Sequence, residues 1–446
     1  MKKALLALLL FCGVLTAADN DILICENGTE MLTWDLEFVK RAEQSIEFAP
    51  CFFGGGVAQR LLSAFEERLE AFPELKIHIL ANPVLMEGED KARINELERA
   101  YPGRFNLVCA ENVMSTDPMM GSVDNHIKMF IVDEKYYAMG GSNYDDIAIS
   151  EGTIGIEGTP IGKPVPVSLP SGSRDQDFVG RGSLAKELRL LFFQNYALWE
   201  RFQKENILGE LNPAKFATRW FPVDADPFVE SFESADLIAL EPGELQLVFG
   251  GPHQKRNAIT AQYVSLIQQA QKEVYIANLY YVPPKGIFDL IKRAHVPFTI
   301  VTNGVRKNAP ACNDLYCWAN RVNYVPTLYG RTFKFWEKSK CKNSRTNHNR
   351  LFEYDVKNVV LHKKAMVIDE KIAVIGSYNL GVKSDQFDYE MIAVIKSPKA
   401  AKAVKKVIER DIEFSASISP GEARGWYFDL QTAYMGELQK NFHGFV

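Results

Sequence analysis

Along the chain, the spacing of apolar positions switches repeatedly between strict alternation over short runs and recurrence at every third or fourth residue over longer ones. "AEQSIEF" (42–48) is a helix end and polar turn running into an alternating strand. A glycine loop, "FFGGG", follows it, then the amphipathic helix pattern "VAQRLLSAFEERLEAF" (57–72), then the buried strand "KIHILAN" ending at Asn82. The same order returns later. "AQKEVYI" (270–276) leads through "YYVPPKG" and the helix pattern "IFDLIKRA" (287–294) to "PFTIVTN", a buried strand ending at Asn303. Strands alternating with helices predict an α/β fold with helical cover on its sheets, and the second pass predicts that it is built twice. The helix pattern "LAKELRLLFFQNYALWERFQKE" (184–205) closes the first half, and "NPAKFATRWFPVDADPFVE" (212–230) links to the second. The halves are therefore drawn as 19–210 and 211–446.

Two apolar strands break this pattern with charge. "LHKKAMVID" (361–369) puts His362 and Lys364 on one strand face, about 7 Å apart. A lone His-x-Lys reads as a partly exposed strand end carrying a satisfied histidine. Here it occurs twice: "HIKMFIVD" (126–133) sets His126, Lys128 and Asp133 at the spacings of His362, Lys364 and Asp369. Each strand then enters a glycine turn holding an asparagine, "MGGSN" to Asn143 and "IGSYN" to Asn379, and each asparagine lies seventeen residues after its histidine. Two copies in register argue for one site built from both halves, at a cleft on a pseudo-two-fold axis.

Two histidines, two lysines and two asparagines suit a phosphodiester. Ammonium groups and amides grip its non-bridging oxygens as charge develops at a five-coordinate phosphorus. One imidazole can attack phosphorus and the other protonate the leaving oxygen, because an imidazole of ordinary pKa ~6.5 works in both roles near neutral pH. The lysines supply positive charge, so this chemistry calls for no metal or other cofactor. Each imidazole needs a group to fix its tautomer. Glu390 in "SDQFDYEMIAVI" serves the second half, and Asp175 and Asp177 in "SRDQDFVG" serve the first.

At 446 residues the chain accommodates two such halves, each with a core. A net charge of -5 argues against a protein that coats nucleic acid non-specifically, but leaves room for a local basic groove. The start, "MKKALLALLLFCGVLTAADN", has the layout of an export leader cleaved near Ala18, and implies a periplasmic or secreted destination. No later segment reaches the ~20 continuous apolar residues of a membrane span. Beyond the leader stand Cys25, Cys51, Cys109, Cys312, Cys317 and Cys341, read as a local disulfide or free thiols.

His-x-Lys-x4-Asp twice, each followed by a Gly/Ser turn to asparagine, resembles the phospholipase D superfamily over nearly the whole chain beyond the leader, in its cardiolipin-synthase-like or phospholipase D-like members. The resemblance implies two pseudo-symmetric α/β/α sandwich halves with the active site at their interface, a phosphohistidine intermediate, and no metal. It casts His126 and His362 as nucleophile and acid, with His126 favoured as nucleophile because the first-half histidine has that role in several members. Lys128, Lys364, Asn143 and Asn379 fall on the phosphate, Glu390 on a histidine, and Asp133 and Asp369 in support. Ser377, Gly141, Asp175 and Asp177 are the candidate substrate contacts. Gly141 stands where the second motif has Ser377, which removes a hydroxyl from the first half. The Gly/Pro-rich insertion "EGTIGIEGTPIGKPVPVSLPSGS" (151–173) follows the first turn directly, as a lid or as a surface loop.

Substrate is less determined. Between Arg306 and Arg350 stand ten Lys or Arg against Asp314 and Glu337, interleaved with Tyr316, Trp318, Tyr324, Tyr329, Phe333, Phe335 and Trp336. Such a surface suits anionic lipid headgroups at a membrane or single-stranded nucleic acid stacked on rings. Export and acidic charge tilt the reading to phospholipid hydrolysis or phosphatidyl transfer, with a nuclease as the alternative. A non-catalytic lipid- or host-protein-binding module is the third reading, and the intact set of six paired residues argues against it. A monomer accommodates all three.

Overall fold

Seven strands recur in the same spatial order in each half. The computed structural model describes residues 15–16, 19–86, 88–110, 113–114, 122–150, 172–204, 231–252, 254, 256–304, 314–356 and 359–441. The segment read as an export leader, the linker 212–230, Cys312 and all but the last two residues of the 151–173 insertion fall outside these residues, apart from Leu15 and Thr16.

The first sheet runs Ile238–Leu240, Asn20–Cys25, Asp177–Gly182, Tyr136–Gly140, Met129–Val132, Ser45–Phe52, Lys76–Asn82, Phe105–Cys109. The second runs Leu15–Thr16, Leu245–Gly250, Glu390–Ile395, Ile372–Gly376, Lys364–Ile368, Val274–Asn278, Phe298–Asn303, Arg350–Tyr354, Ser415–Ser417. Without the short edge strands the two orders coincide. Ser45–Phe52 lies parallel to Lys76–Asn82 and antiparallel to Met129–Val132, and Val274–Asn278 repeats both relations with Phe298–Asn303 and Lys364–Ile368. Parallel neighbours need a crossover, which the helices Gly55–Ala71 and Lys285–Lys292 provide.

The edge strands show where the chain passes from one sheet to the other. Ile238–Leu240 pairs with Asn20–Ile22 and so extends the first sheet, while Phe232 packs in the first half's core. The crossing into the second half therefore comes after Leu240.

Three cores hold this arrangement. One lies in the first half and includes the helices Gly28–Val39 and Gly55–Ala71; a second lies in the second half and includes Ala258–Gln269. The third belongs to both halves. Leu188, Phe192 and Trp199 of the helix Leu184–Lys204 and Val404 and Ile408 of the helix Pro398–Glu413 pack there with Met129, Ile131, Val367 and Ile375 from the two sheets. Each such buried side chain stabilises by roughly 2 kcal/mol relative to exposure, so the halves are coupled through the core that backs the histidine strands.

Two straps cross between halves at the histidines. Gly172–Arg174 of the first half pairs in parallel with Val359–Leu361 of the second, and the His362 amide donates to the Arg174 carbonyl at 2.8 Å. On the other side Asn125 bridges Tyr389, and the His126 amide donates to the Tyr389 carbonyl at 3.0 Å. A buried ion triad underlies the first strap: Arg174 Nε and Lys363 Nζ reach the two oxygens of Asp411 at 2.8 and 2.5 Å. Removing Asp411 would take from two buried cations the carboxylate they share, which is costly in a low dielectric.

Candidate active site

Each histidine sits just before a strand, where chain leaving a strap enters the sheet. Met129–Val132 and Lys364–Ile368 are buried along their whole lengths, so their apolar residues anchor the motif while its first residues project into the cleft between halves. The lysines fold back in the same way in both copies. Lys128 Nζ donates to the His126 carbonyl at 2.8 Å, and Lys364 Nζ donates to the His362 carbonyl. Lys364 Nζ also lies 2.9 Å from His362 Nδ1 and 3.0 Å from Nε2. Asn143 and Asn379 are buried, and each leaves its Oδ1 position without a hydrogen-bond partner. An amide flip exchanges Oδ1 and Nδ2, so each can present a donor to an oxygen in the cleft. Unmet hydrogen-bonding capacity at the same place in both halves is a feature of a site that receives a polar ligand.

The carboxylates correct the expected pairing. Glu390, assigned to its own half, lies with both oxygens 3.0 Å from Nδ1 of His126 in the other half. Asp175, assigned to the first half and to substrate, lies 2.5 Å from Nδ1 of His362. Partnership crosses because each carboxylate belongs to a strap that runs over the opposite histidine. Nδ1–H thus faces a carboxylate in both imidazoles, leaving Nε2 for chemistry.

The other expected substrate contacts face inward. Asp177 is fully buried and accepts from the Ser142 amide at 3.0 Å and the Ser142 hydroxyl at 2.5 Å. Ser377 Oγ donates to Glu390 Oε2, and Ser384 Oγ donates to Oε1 at 2.5 Å. Gly141 leaves room: a Cβ there would stand 2.2 Å from Asp175 Oδ1. The two histidines are therefore held differently. Glu390 is braced by two serine hydroxyls, whereas Asp175 reaches His362 through space that a side chain at 141 would fill.

Electrostatics follow this asymmetry. Burial and the charges of Lys128, Lys364 and Lys383 push His126 well below its ordinary pKa, which keeps it neutral. Burial also lowers His362, but Asp175 opposes it. Burial acts to raise Asp175, and the charges of His362 and Lys364 overcome it and hold the carboxyl below its ordinary value. Burial raises Glu390 to about 7, against the pull of Lys128. Burial likewise brings Lys364 down to about 7, with Asp175 opposing, so an anion in the cleft would strengthen its hold on the proton.

Asp133 and Asp369, expected among the catalytic residues, lie at the far ends of the two strands. Asp133 accepts from the amides of Glu43, Gln44 and Ser45 at 2.8–2.9 Å. Asp369 accepts from those of Gln271, Lys272 and Glu273 at 2.7–3.0 Å. Both aspartates adopt positive φ, 53° and 55°, which Asp tolerates better than most residues. They pin the turns before the neighbouring strands. Burial would raise Asp369, but the three amides hold it below its ordinary value. A depressed folded pKa contributes stability that is present above the unfolded pKa of ~3.9 and lost as pH falls through the folded one. Asp369→Ala is accordingly expected to lower unfolding free energy at pH 7 by about 2 kcal/mol in urea titration, with turnover per folded molecule unchanged. A loss of turnover without loss of stability would return Asp369 to the site.

Several residues here carried no assignment from sequence. Lys383 Nζ binds Asp124 at 2.5 Å and Asp388 at 2.7 Å, tying the halves together beside His126. Asp388 had a signal: it precedes Glu390 by two, as Asp175 precedes Asp177. Lys363 and Asp411 had none, because they are remote from each other in sequence, and Ser384, though only six residues before Glu390, is a lone serine outside any motif. Cys25, Cys51 and Cys341 are free thiols.

Comparison with known proteins agrees with this geometry. Residues 263–412 match the family model "Cardiolipin synthase, PLD-like domain". Cardiolipin synthase 1 of Staphylococcus epidermidis is 23% identical over 401 residues, covering 89% of this chain and 69% of the relative. Cardiolipin synthase 1 of Staphylococcus aureus is 22% identical over 410 residues, covering 90% and 71%. The crystal structure of phosphatidylserine synthase from Haemophilus influenzae superposes with a TM-score of 0.60 at 14% identity, covering 99% of this chain and 96% of that one, and so shares the fold. The chain is thus similar to cardiolipin synthases along most of its length, shares the fold of phosphatidylserine synthase, and carries in residues 263–412 of its second half a match to a PLD-like domain of the cardiolipin synthase family.

Proposed function

We propose that this phospholipase D-type enzyme cleaves the phosphodiester of a phospholipid through a phosphohistidine and passes the phosphatidyl group to an alcohol or to water. The observation that carries the proposal is the crossed pair of imidazoles, each held at Nδ1 by a carboxylate of the other half. His126 Nε2 attacks phosphorus, the bond to the leaving oxygen breaks, and His362 gives that oxygen its Nε2 proton. In the second step the acceptor hydroxyl passes its proton to His362 and displaces His126 from phosphorus.

The asymmetry supports these roles. A neutral His126 among three ammonium groups has its lone pair free. His362 against an ionised Asp175 is the better proton carrier. Lys128, Lys364 and the two asparagine amides would take the non-bridging oxygens, where their charge and hydrogen bonds strengthen as the transition state forms. Because the lysines provide that charge, catalysis proceeds without a divalent ion. The relatives named as cardiolipin synthases favour a phosphatidyl group and an alcohol acceptor.

The test is turnover of monomeric short-chain phosphatidylglycerol, with glycerol as acceptor and excess chelator, beside labelled single-stranded DNA under the same conditions. Lipid turnover that survives chelation and disappears in His126→Ala is expected. Cleavage of DNA with no lipid product would replace this reading with a nuclease, and turnover restored only by a divalent ion would overturn the role given to the lysines.

A further inference from the structure

The basic, ring-rich stretch of the second half divides sharply in the structure. Tyr324, Tyr329 and Phe333 are buried in the second-half core, and Arg321 forms a buried bidentate pair with Glu353 at 2.8 and 2.9 Å. Arg306 and Lys307 lie outside the described residues. Among the described residues, the exposed cations and rings of this stretch concentrate in one excursion, 331–345, between the helix Tyr324–Tyr329 and the strand Arg350–Tyr354.

Its six cations, Arg331, Lys334, Lys338, Lys340, Lys342 and Arg345, are all exposed. Its one acid, Glu337, is occupied as a local cap, accepting from the Lys334 amide at 3.0 Å and from Lys340 Nζ at 2.9 Å. Among these charges stand two neighbouring rings that the core does not take. Phe335 is 53% exposed and Trp336 is 78% exposed. Cys341 and Phe333, both buried, fasten the excursion to the core beneath. Phe335 also touches Phe428 edge-on, at 6.3 Å between centroids. Phe428 leads into the helix Leu430–Asn441, where Leu430 is 72% and Tyr434 67% exposed, so the apolar surface continues beyond the excursion.

We propose that residues 331–345 are a peripheral anchor for an anionic lipid surface, with Trp336 and Phe335 entering the headgroup layer and the six cations holding anionic headgroups around them. The proposal rests on the phospholipid reading of the active site. Large rings left mostly exposed side by side cost solubility and mark a contact surface. An indole among ammonium groups matches a bilayer interface, where aromatic rings settle at headgroup level and basic side chains meet negative lipid. Single-stranded nucleic acid uses rings set along a groove so that successive bases stack. Here the two rings are adjacent on a single turn, Phe335–Glu337, and Trp336 has Lys334 Nζ 5.2 Å from its centroid. The protein's net charge of -5 means that this cationic surface is local rather than general.

The test compares the full chain with Phe335→Ala/Trp336→Ala and with Lys338→Glu/Lys340→Glu/Lys342→Glu. Binding is measured by co-sedimentation with phosphatidylcholine vesicles with and without phosphatidylglycerol, and with single-stranded DNA. Expected is binding that needs phosphatidylglycerol, weakens with added salt, and falls at least roughly tenfold in either variant. Turnover of monomeric short-chain phosphatidylglycerol should stay at the wild-type rate in both variants, while turnover of vesicle lipid falls with binding. Circular dichroism checks that these surface variants fold. Vesicle binding equal to wild type in the ring variant overturns the anchor. So does DNA binding that is lost in the ring variant when vesicles are not bound, which would make the excursion a base-stacking platform. If monomeric lipid is not turned over at all, the active-site reading fails, and vesicle binding judges the anchor separately.

Discussion

Replacing either imidazole, His126→Ala or His362→Ala, is expected to lower turnover of a natural phosphodiester by on the order of 10⁴-fold or more, with the two variants failing at different steps. The contrast appears with a p-nitrophenyl phosphodiester, whose leaving oxygen needs no proton. His362→Ala keeps the neutral nucleophile and its Glu390 partner, so it should release one equivalent of p-nitrophenol in a burst and then stall. The stall comes because the acceptor no longer has a base. His126→Ala has no nitrogen to attack phosphorus and should show no burst. His362→Ala quenched in denaturant at alkaline pH, where a phosphohistidine survives, should carry label from the phosphoryl group, while His126→Ala stays unlabelled. A burst and label in the His126 variant instead would exchange the roles. Equal, unlabelled failure of both would remove the covalent intermediate. Pseudo-symmetry alone makes the histidines equivalent, so this outcome turns on Gly141, Ser377, Ser384 and the two unlike carboxylates.

Much of this framework is legible in sequence because it is local. The strands ending at Asn82 and Asn303, the helices 57–72 and 287–294, and the duplicated motif each announce themselves through period and spacing, and the structure sets them in matching positions. The helices start and stop within two residues of the apolar pattern. What sequence spacing concealed was every relation that crosses between halves. Glu390 stands eleven residues after Asn379, and proximity along the chain favoured its own histidine. Only the strap formed by Asp388 and Tyr389 against Asp124 and Asn125 shows that it serves the other. The motif aspartates, read as supporting residues, stand apart from the site for a related reason. A carboxylate in register with His and Lys looks catalytic, yet a short strand carries its last residue to the opposite edge of the sheet. Nor could composition divide the rings of 316–336 between core and surface, because Tyr324 and Trp336 differ only in what packs over them.

The second large effect is expected at Asp175, and Gly141 supplies its internal control. Asp175→Asn keeps the shape but replaces the acceptor facing His362 Nδ1–H with an amide that can turn its own N–H toward the ring. That favours the tautomer with its proton on Nε2 in the neutral ring and leaves the imidazolium without a counter-charge. Loss of the equivalent carboxylate beside a catalytic imidazole costs roughly 10⁴-fold in rate elsewhere, and a kcat loss of about 10³- to 10⁴-fold is expected here. Gly141→Ala should act through the same carboxylate, because its Cβ would fall 2.2 Å from Asp175 Oδ1 and drive Oδ2 off the ring. If so, the two losses are not additive: once Asp175 is asparagine, adding Gly141→Ala should cost less than threefold more. Kinetics on a slow-leaving substrate and on the p-nitrophenyl ester separate this from general damage. The acid's positioning matters for the first-step burst only with the slow-leaving substrate, so Asp175→Asn should retain its burst on the activated ester. Fully additive losses, or a burst abolished on both substrates, would mean that Gly141 serves the turn itself and that Asp175 does more than hold His362.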